Sequence, residues 1–169
     1  MSDKFGKNIL TLFGVGYFKY APGTAASIIT CALWLLLYSL QISFLLLVFL
    51  YSIILIYSII LIDKLSKKFS EVDAKEIVID EFLGMSLPLL AFYSSLDQLG
   101  SWHNVNVDYI FLKYILPSFV LFRFFDIVKP YPINLIDKKL KNGLGVVMDD
   151  LIAGLFSLIV TYIAIQFIF

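Results

Sequence analysis

Long apolar stretches separated by short polar segments dominate the pattern of residues along this chain. Each stretch has about the length that an α-helix needs to cross the hydrocarbon core of a bilayer. Pro88 and Pro117 fall inside the third and fourth stretches, where a membrane helix tolerates proline because neighbouring groups satisfy the freed backbone. We therefore predict an all-α integral membrane bundle of about five spanning helices, over residues 24–40, 42–62, 77–95, 109–127 and 149–169.

The composition supports a membrane protein and limits its complexity. Of the 169 residues, 60% are apolar and only 15% are charged, whereas a soluble domain carries about 25% charged residues. A chain of this length without an internal repeat is expected to form one domain, residues 1–169. The net charge is zero, so we expect no nucleic-acid partner. The single cysteine, Cys31, excludes a disulfide framework and a cysteine-ligated zinc site.

Basic residues are distributed unevenly among the segments that join the predicted helices. The segment between the third and fourth stretches, LDQLGSWHNVNVD, contains no lysine or arginine. The other polar segments carry Lys4, Lys7, Lys19, Lys64, Lys67, Lys68, Lys75, Lys129, Lys138, Lys139 and Lys141. Because cytoplasmic loops are enriched in lysine and arginine, we predict a cytoplasmic N-terminus and, with five helices, a C-terminus outside.

This topology places acidic residues from distant parts of the chain at one level of the membrane. They are Asp80 and Glu81 at the start of the third helix, Asp126 at the end of the fourth, and Asp149 and Asp150 at the start of the fifth. Taken singly, an acidic residue in a first helical turn is often only a cap. Capping does not explain all five acidic residues at one level, because two unit charges about 4 Å apart repel by roughly 4 kcal/mol at an effective dielectric of about 20. The side chains of such a group either point away from one another or bind a shared cation. Oxygen ligands without histidine or cysteine favour Mg²⁺.

Small residues near the acidic positions are expected to let the third and fifth helices approach each other. Gly84 lies four residues after Asp80, and Gly154 lies four residues after Asp150. This spacing puts each glycine on the same helix face as the preceding carboxylate, and small residues allow close packing of membrane helices. The carboxylates of the two helices should therefore converge.

Positively charged groups and backbone amides are predicted beside the acidic residues. Arg123 and Asp126 are three residues apart and can share one face of a helix. Pro130 stops that helix, which leaves the ammonium group of Lys129 at a break in the backbone. Thr24, in the segment APGTAAS, can cap the first helix, whose unpaired N–H groups suit an anion. A metal ion, cations and amides together describe a site for a phosphate monoester.

Four sequence blocks, in order, resemble the phosphatidylglycerophosphatase A family of integral membrane phosphatases in bacterial phospholipid synthesis. They are GVGYFKYAPGTAAS, DAKEIVIDEFLG (which begins at Asp73), RFFDIVKPYP and NGLGVVMDDLIAG, and the resemblance extends along nearly the whole chain. The third block matches the family pattern Arg-x-Phe-Asp-x-x-Lys-Pro-x-Pro at every position. The chain departs from the family pattern at four uncharged positions, Ala26, Ala74, Asn142 and Val147.

The resemblance implies a phosphoric monoester hydrolase that removes the terminal phosphate of phosphatidylglycerophosphate, with Mg²⁺ as cofactor, and yields phosphatidylglycerol. It also implies a multi-pass protein of the bacterial inner (cytoplasmic) membrane, whose active site faces the cytoplasm and whose substrate is a phospholipid of the bilayer. The catalytic residues predicted by matching position are Asp80, Glu81, Asp126, Lys129, Asp149 and Asp150. The predicted metal ligands are Asp80, Glu81, Asp149 and Asp150, and the predicted substrate-binding residues are Thr24, Ser27, Arg123 and Lys129.

Other functions fit the sequence less well. The main alternative is a small membrane ion or lipid transporter that uses interfacial carboxylates, but a transporter needs charges along a path through the membrane, and here they crowd at one end. A non-catalytic scaffold leaves the ordered acidic blocks unexplained, and the Asp-Gly-x-x-Ala-Arg signature of cytidine-diphosphate-alcohol phosphotransferases is absent. The only histidine, His103, is predicted in the outer loop, which disfavours a histidine phosphatase. The sequence leaves open whether water or an aspartate attacks phosphorus.

Overall fold

Helices make up all of the regular structure in the computed structural model, which describes residues 3–65, 74–98 and 107–168. The helices are α1 Asp3–Leu10, α2 Pro22–Leu40, α3 Phe44–Leu65, α4 Ile79–Gln98, α5 Val107–Ile110, α6 Leu116–Val128, α7 Ile133–Lys139 and α8 Gly143–Ile168. A 3₁₀ turn, Val15–Tyr17, precedes α2, and a π-helical segment, Phe111–Ile115, joins α5 to α6. The predicted all-α fold is confirmed.

Three helices in the described part of the chain are long and apolar enough to cross a membrane, namely Pro22–Leu40, Phe44–Leu65 and Gly143–Phe167. The third and fourth predicted spans are covered by α4 and by the continuous helical stretch 107–128. α4 packs against α2, α3, α6 and α8, which places it at the centre of the bundle. This central position explains how α4 can carry polar residues in a membrane-type bundle, since protein rather than lipid surrounds it.

A tight hairpin joins α2 to α3 and is fixed to α4. Gln41, at the end of α2, adopts the left-handed conformation with a φ of 52°. The Tyr93 hydroxyl of α4 donates a hydrogen bond to the carbonyl of Ile42 in this connection. Further hydrogen bonds between α2 and α4 join the Trp34 indole to the Ser86 hydroxyl (3.0 Å) and the Tyr38 hydroxyl to the Leu89 carbonyl (2.7 Å). Polar contacts of this kind hold membrane helices in one register.

The π-helical segment Phe111–Ile115 explains how the fourth predicted span contains Pro117. In a regular α-helix, the proline ring would clash with the carbonyl of Lys113, four residues earlier, and would offer it no N–H. The wider turn of the π-helix makes room for the ring, and the chain continues directly into α6. The proline therefore changes the helix locally without ending it.

The predicted close approach of the third and fifth helices is confirmed by the glycines of α4 and α8. A side chain at Gly84 would overlap the backbone carbonyl of Asp150, and a side chain at Gly154 would overlap the carbonyl of Gly84. Within α4, the Gly84 carbonyl has no N–H donor four residues later, because that residue is Pro88. The two backbones therefore touch directly beside the acidic residues.

The last helix begins at Gly143, six residues earlier than predicted. The Asp63 carboxylate accepts a hydrogen bond from the Gly143 N–H at 2.5 Å, and the Asn142 side chain accepts one from the Gly145 N–H at 2.9 Å. The prediction was wrong because glycine has a low helix propensity, whereas these two side chains satisfy the first amides of the helix. The pair Asp149–Asp150 consequently lies in the second turn, where capping does not account for it.

Candidate active site

Three carboxylates from α4 and α8 come together at one end of the bundle. Oxygen atoms of Asp80, Glu81 and Asp150 all lie within 4.8 Å of one another. Asp80 is 6% exposed and Asp150 is 4% exposed, so water screens their charges poorly. Burying like charges together is unfavourable unless a positive charge compensates them. A set of oxygen ligands without nitrogen or sulfur fits a hard divalent cation such as Mg²⁺.

Two oxygen atoms of this three-carboxylate group have no hydrogen-bond partner among the residues that the structure describes. They are Oε2 of Glu81 and Oδ2 of Asp150, and both are buried. A buried acceptor without a partner costs about 1–3 kcal/mol, and more when it is charged. Both oxygens therefore have the property expected of ligands to a cation.

Asp149, the fourth predicted metal ligand, faces a different partner. Its Oδ2 atom accepts a hydrogen bond from Nζ of Lys129 at 2.6 Å, and the residue is 5% exposed. Neighbouring residues on a helix point about 100° apart, so Asp149 and Asp150 present their carboxylates to different surroundings. The structure thus brings together three of the four predicted ligands and places the fourth on Lys129.

Lys129 lies where α6 ends, as the sequence predicts. Its backbone is left-handed, with a φ of 44°, and its N–H donates to the Phe125 carbonyl at 2.8 Å. This conformation costs a non-glycine residue about 1–3 kcal/mol and persists only where the surroundings enforce it. Here the enforcing features are Pro130, which cannot continue the helix, and the contact with Asp149. The break in α6 therefore aims the ammonium group at the acidic residues.

Lys129 has a second anionic partner, Asp137 of α7, which the sequence did not reveal. Nζ of Lys129 lies 3.2 Å from Oδ1 of Asp137. Burial lowers the pKa of Lys129, but the hydrogen bonds and charges of Asp149 and Asp137 outweigh that effect and raise the pKa above its ordinary value. Asp137 lies among lysines and outside the quoted motifs, and only the packing of α7 against α8 brings it to the site. The result is a positive charge that persists at neutral pH.

Arg123 and Asp126, which the sequence predicts on one helix face, form an ion pair. Nη1 of Arg123 lies 2.8 Å from Oδ2 of Asp126, and both side chains are mostly buried. Asp126 also interacts with Glu81 and Asp150, so the pair borders the three-carboxylate group. Nε of Arg123 is buried and has no hydrogen-bond partner within the described residues. Its N–H is therefore available to an anionic ligand.

The N-terminus of α2 reaches the same place. α2 begins at Pro22, with Ala21 as the N-cap, so the predicted capping role of Thr24 is wrong. Proline favours the first helical position because its φ is already helical and its missing N–H is not needed there. The Ala25 N–H bonds to the Ala21 carbonyl at 3.1 Å, which leaves the N–H groups of Gly23 and Thr24 without an intrahelical acceptor.

Gly23 brings this helix end into contact with the charged residues. A side chain at Gly23 would overlap the carboxylate of Glu81 and would come within 3.3 Å of Nη1 of Arg123. Ser27, one turn later, is completely buried, and its hydroxyl donates to the Gly23 carbonyl at 2.9 Å. Direct binding of substrate by Thr24 and Ser27 stays a prediction. Asp73 and His103 lie outside the described residues.

Similarity to known proteins extends over nearly the whole chain. The model of the family described as Phosphatidylglycerophosphatase A matches residues 8–165. A Haemophilus influenzae protein named Phosphatidylglycerophosphatase A is 36% identical over 155 residues, which cover 92% of this chain and 85% of that protein. An Escherichia coli protein of the same name is 29% identical over 150 residues, which cover 89% of this chain and 77% of that protein.

A third relative carries a different name. It is a Bacteroides thetaiotaomicron protein named Putative phosphatidylinositol-3-phosphatase, 33% identical over 157 residues that cover 91% of this chain and 89% of that protein. No solved structure matches this chain. The span matched by the family contains every site residue described above, from Gly23 to Asp150.

Proposed function

Because the chain belongs to the phosphatidylglycerophosphatase A family and is thus a phosphatase of the phosphoric monoester hydrolase class, we propose that it removes the terminal phosphate of phosphatidylglycerophosphate. The product is phosphatidylglycerol, and the acyl chains of the substrate stay in the bilayer. One observation carries the proposal: the three-carboxylate group lies beside Arg123 and Lys129 at one end of otherwise apolar helices. A phosphate at the boundary between lipid and water suits that position.

We propose Mg²⁺ as the cofactor, held by Asp80, Glu81 and Asp150. The partnerless buried oxygens of Glu81 and Asp150 support this assignment, as does the oxygen-only composition of the group. When bound, the ion supplies Lewis acidity and offsets the charge of the phosphate. Asp149, predicted as a fourth ligand, acts in this proposal by holding Lys129 in place.

The protein groups around the carboxylates bind and polarise the phosphate. Nε of Arg123 is available as a donor, and Lys129 carries a charge fixed by its two aspartates. The N–H groups of Gly23 and Thr24 point from the positive end of α2 toward an anion. In phosphoryl transfer, charge spreads over the phosphate oxygens as the attacking and leaving oxygens move in line, and fixed positive groups stabilise that charge.

Asp126 pairs with Arg123 and interacts with the carboxylates of Glu81 and Asp150, and these contacts support a role in orienting the attacking group. We assign it the positioning of the attacking water. A carboxylate that accepts a hydrogen bond from a water molecule orients that water, so that a lone pair of the water oxygen points toward phosphorus. Isolation of an acyl phosphate on any of the site aspartates would replace this assignment with covalent catalysis.

A second candidate substrate is a phosphatidylinositol phosphate. The relative named Putative phosphatidylinositol-3-phosphatase, at 33% identity, favours it. This candidate keeps the same bond cleavage and changes only the alcohol that carries the phosphate. The transporter alternative has less support, since the buried charges that the structure describes cluster at one end of the helices.

The test is phosphate release by the purified protein in detergent, with and without Mg²⁺, from phosphatidylglycerophosphate and from phosphatidylinositol 3-phosphate. We expect release from the former, dependent on Mg²⁺, and loss of turnover in Asp149→Asn. The matched control Asp108→Asn removes an exposed carboxylate in α5 and should keep wild-type activity. Preference for the inositol lipid would contradict the proposed substrate. Phosphate release without Mg²⁺ would contradict the proposed cofactor.

We further propose that the site faces the cytoplasm across the bacterial inner membrane. Three lysines at the same end of the bundle are exposed, Lys138, Lys139 and Lys141, as the positive-inside rule expects of a cytoplasmic segment. In a Cys31→Ser background, Lys141→Cys should react with a membrane-impermeant maleimide in inverted vesicles and not in intact cells. Labelling of intact cells would reverse the orientation.

A further inference from the structure

A groove runs between α2 and the helical stretch 107–128 on the outside of the bundle. It has a volume of about 280 Å³ and is lined from one side by Ile28, Ala32 and Leu35 and from the other by Phe111, Leu116 and Phe119. All of its lining side chains are apolar. We call it the α2–α6 groove.

The α2–α6 groove continues into the active site along both walls. On α2, Thr24 and Ile28 are four residues apart and lie on one helix face. On α6, Phe119 and Arg123 have the same spacing, so the guanidinium lies one turn beyond the groove wall. At the same end of α2, Gly23 lies beside this guanidinium, because a side chain there would lie within 3.3 Å of Nη1 of Arg123. The anion-binding groups and the groove therefore form one continuous surface.

The α2–α6 groove ends about one bilayer leaflet away from the site. The wall that α2 forms from Thr24, beside the site, to Leu35, its last residue in the groove lining, extends roughly 16 Å at about 1.5 Å per helical residue. The hydrocarbon core of a bilayer is about 30 Å thick, so this wall spans about half of it. A chain that starts at the phosphate level would reach the end of the groove near the middle of the membrane.

A second apolar cavity of similar size lacks this continuity. It has a volume of about 290 Å³ and lies between α4 and α8, with Ala91 and Leu158 in its lining. Ala91 follows Glu81 by ten residues, which corresponds to roughly 15 Å along α4. This cavity therefore begins well away from the site, has in the described part of the chain no lining residue next to it, and serves as an internal control.

We infer that the α2–α6 groove binds one acyl chain of the phospholipid substrate while Arg123 and the amides of α2 hold its phosphate. The inference rests on the proposed lipid phosphatase function and adds to it a site for substrate selection. Lipid tails are as apolar as the groove lining, so the groove selects the chain through close packing contacts rather than through its removal from water. Recognition of the chain would thus discriminate long-chain lipids from short-chain or water-soluble phosphate esters.

The test fills the groove and uses two substrates. Ala32 is an exposed residue of α2, so Ala32→Phe adds a ring to the groove without crowding the core. For dipalmitoyl phosphatidylglycerophosphate, KM should rise several-fold, because the added ring displaces the acyl chain from its packing contacts with the groove. For the dihexanoyl lipid, KM should stay close to the wild-type value. The matched variant Ala91→Phe, in the cavity between α4 and α8, should leave both values unchanged.

Each remaining outcome contradicts the inference. If Ala32→Phe changes both substrates equally, or neither, then the groove does not bind the chain. An equal effect of Ala91→Phe would indicate a general disturbance of the bundle. If Ala32→Phe instead alters the oligomeric mass in detergent at unchanged KM, the groove is a contact between copies of the chain. Failure of the wild-type protein to release phosphate from either lipid would overturn the proposed function itself.

Discussion

Nζ of Lys129 lies 2.6 Å from Oδ2 of Asp149, so the residue that ends α6 is tied to the second turn of α8. The contact forms at a left-handed backbone position, which proline follows immediately. Two separate helices thus define the position of the Lys129 ammonium group. This relationship explains why one member of the aspartate pair faces a lysine, whereas the other faces the carboxylates of α4.

Removing the ammonium group should therefore weaken catalysis without unfolding the protein. We expect Lys129→Ala to lower kcat/KM by about 10²–10³-fold, the usual effect of losing one group that stabilises transition-state charge. Lys138→Ala removes an exposed lysine of the neighbouring α7 and should change kcat/KM little. Steady-state kinetics on the same lipid checks both, and equal activity in the two variants would contradict the role of Lys129.

The raised pKa of Lys129 predicts how the stability depends on pH. Burial lowers this pKa, but Asp149 and Asp137 raise it above the ordinary value of 10.5. The stabilising contribution is complete below about pH 10.5 and is lost only as the pH rises through the raised value of the folded protein. Between roughly pH 6 and 9, Lys129 stays charged and contributes no pH dependence.

This prediction is checked by thermal unfolding in detergent between neutral pH and about pH 11. The Tm difference between the wild-type protein and Lys129→Met should be constant near neutral pH and should shrink at the alkaline end. Asp149→Asn removes the closer of the two aspartates that raise the pKa of Lys129, so the contribution of Lys129 in this variant should be smaller at neutral pH and should change less toward alkaline pH. A wild-type advantage that disappears already near pH 8 would mean that the aspartates do not hold the lysine charge.

Sequence spacing predicted those parts of the site that lie within single helices or at their ends. The pair Arg123–Asp126 follows from a three-residue separation, and the exposed end of α6 at Lys129 follows from the next residue being proline. The convergence of α4 and α8 followed from Gly84 and Gly154. In the first two cases local geometry decides the position, and in the third the two glycines mark the helix faces that can pack closely.

Contacts between distant segments were not predictable in the same way. Asp137 reaches Lys129 only because α7 packs against α8, and the start of α8 depends on Asp63, a residue 80 positions before its glycine partner. The N-terminus of α2 was misassigned because Thr24 is a good capping residue by type, while Pro22 already starts the helix. Such choices depend on which neighbours fold against a segment.

The absence of a side chain at Gly23 should be needed for the site. Gly23→Ala would place a methyl group against the Glu81 carboxylate, and we expect activity to fall about tenfold or more while the protein stays folded. In the double variant Gly23→Ala with Glu81→Asp, the opposing side chain is one methylene shorter. Its activity should be higher than the product of the two single-variant losses would give. Kinetics on the four proteins checks this coupling. Strictly multiplicative effects would show that the two residues do not compete for space.

The three-carboxylate group should bind a divalent cation even without substrate. Mn²⁺ binding to the detergent-solubilised protein, measured by electron paramagnetic resonance, should be about 10-fold or more weaker in Asp150→Asn, because a buried oxygen ligand loses its charge. Asp108→Asn, which changes an exposed carboxylate far from the group, should bind like the wild-type protein. Unchanged Mn²⁺ affinity in Asp150→Asn would remove Asp150 from the proposed ligands, whatever its effect on turnover.

The close contact between α4 and α8 predicts opposite outcomes for two glycine-to-alanine changes. Alanine is favoured over glycine inside a helix by about 1 kcal/mol, but at Gly154 its methyl group would overlap the backbone carbonyl of Gly84, which cannot rotate away. We expect Gly154→Ala to lower the free energy of unfolding by about 1–3 kcal/mol and to reduce activity, since it separates the helices that carry the acidic residues. At Gly6 of α1, the nearest atoms are the ends of the Leu65 and Leu61 side chains, which can move. Gly6→Ala should therefore be neutral or slightly stabilising, and thermal unfolding in detergent that ranks the two variants in the reverse order would contradict the backbone contact.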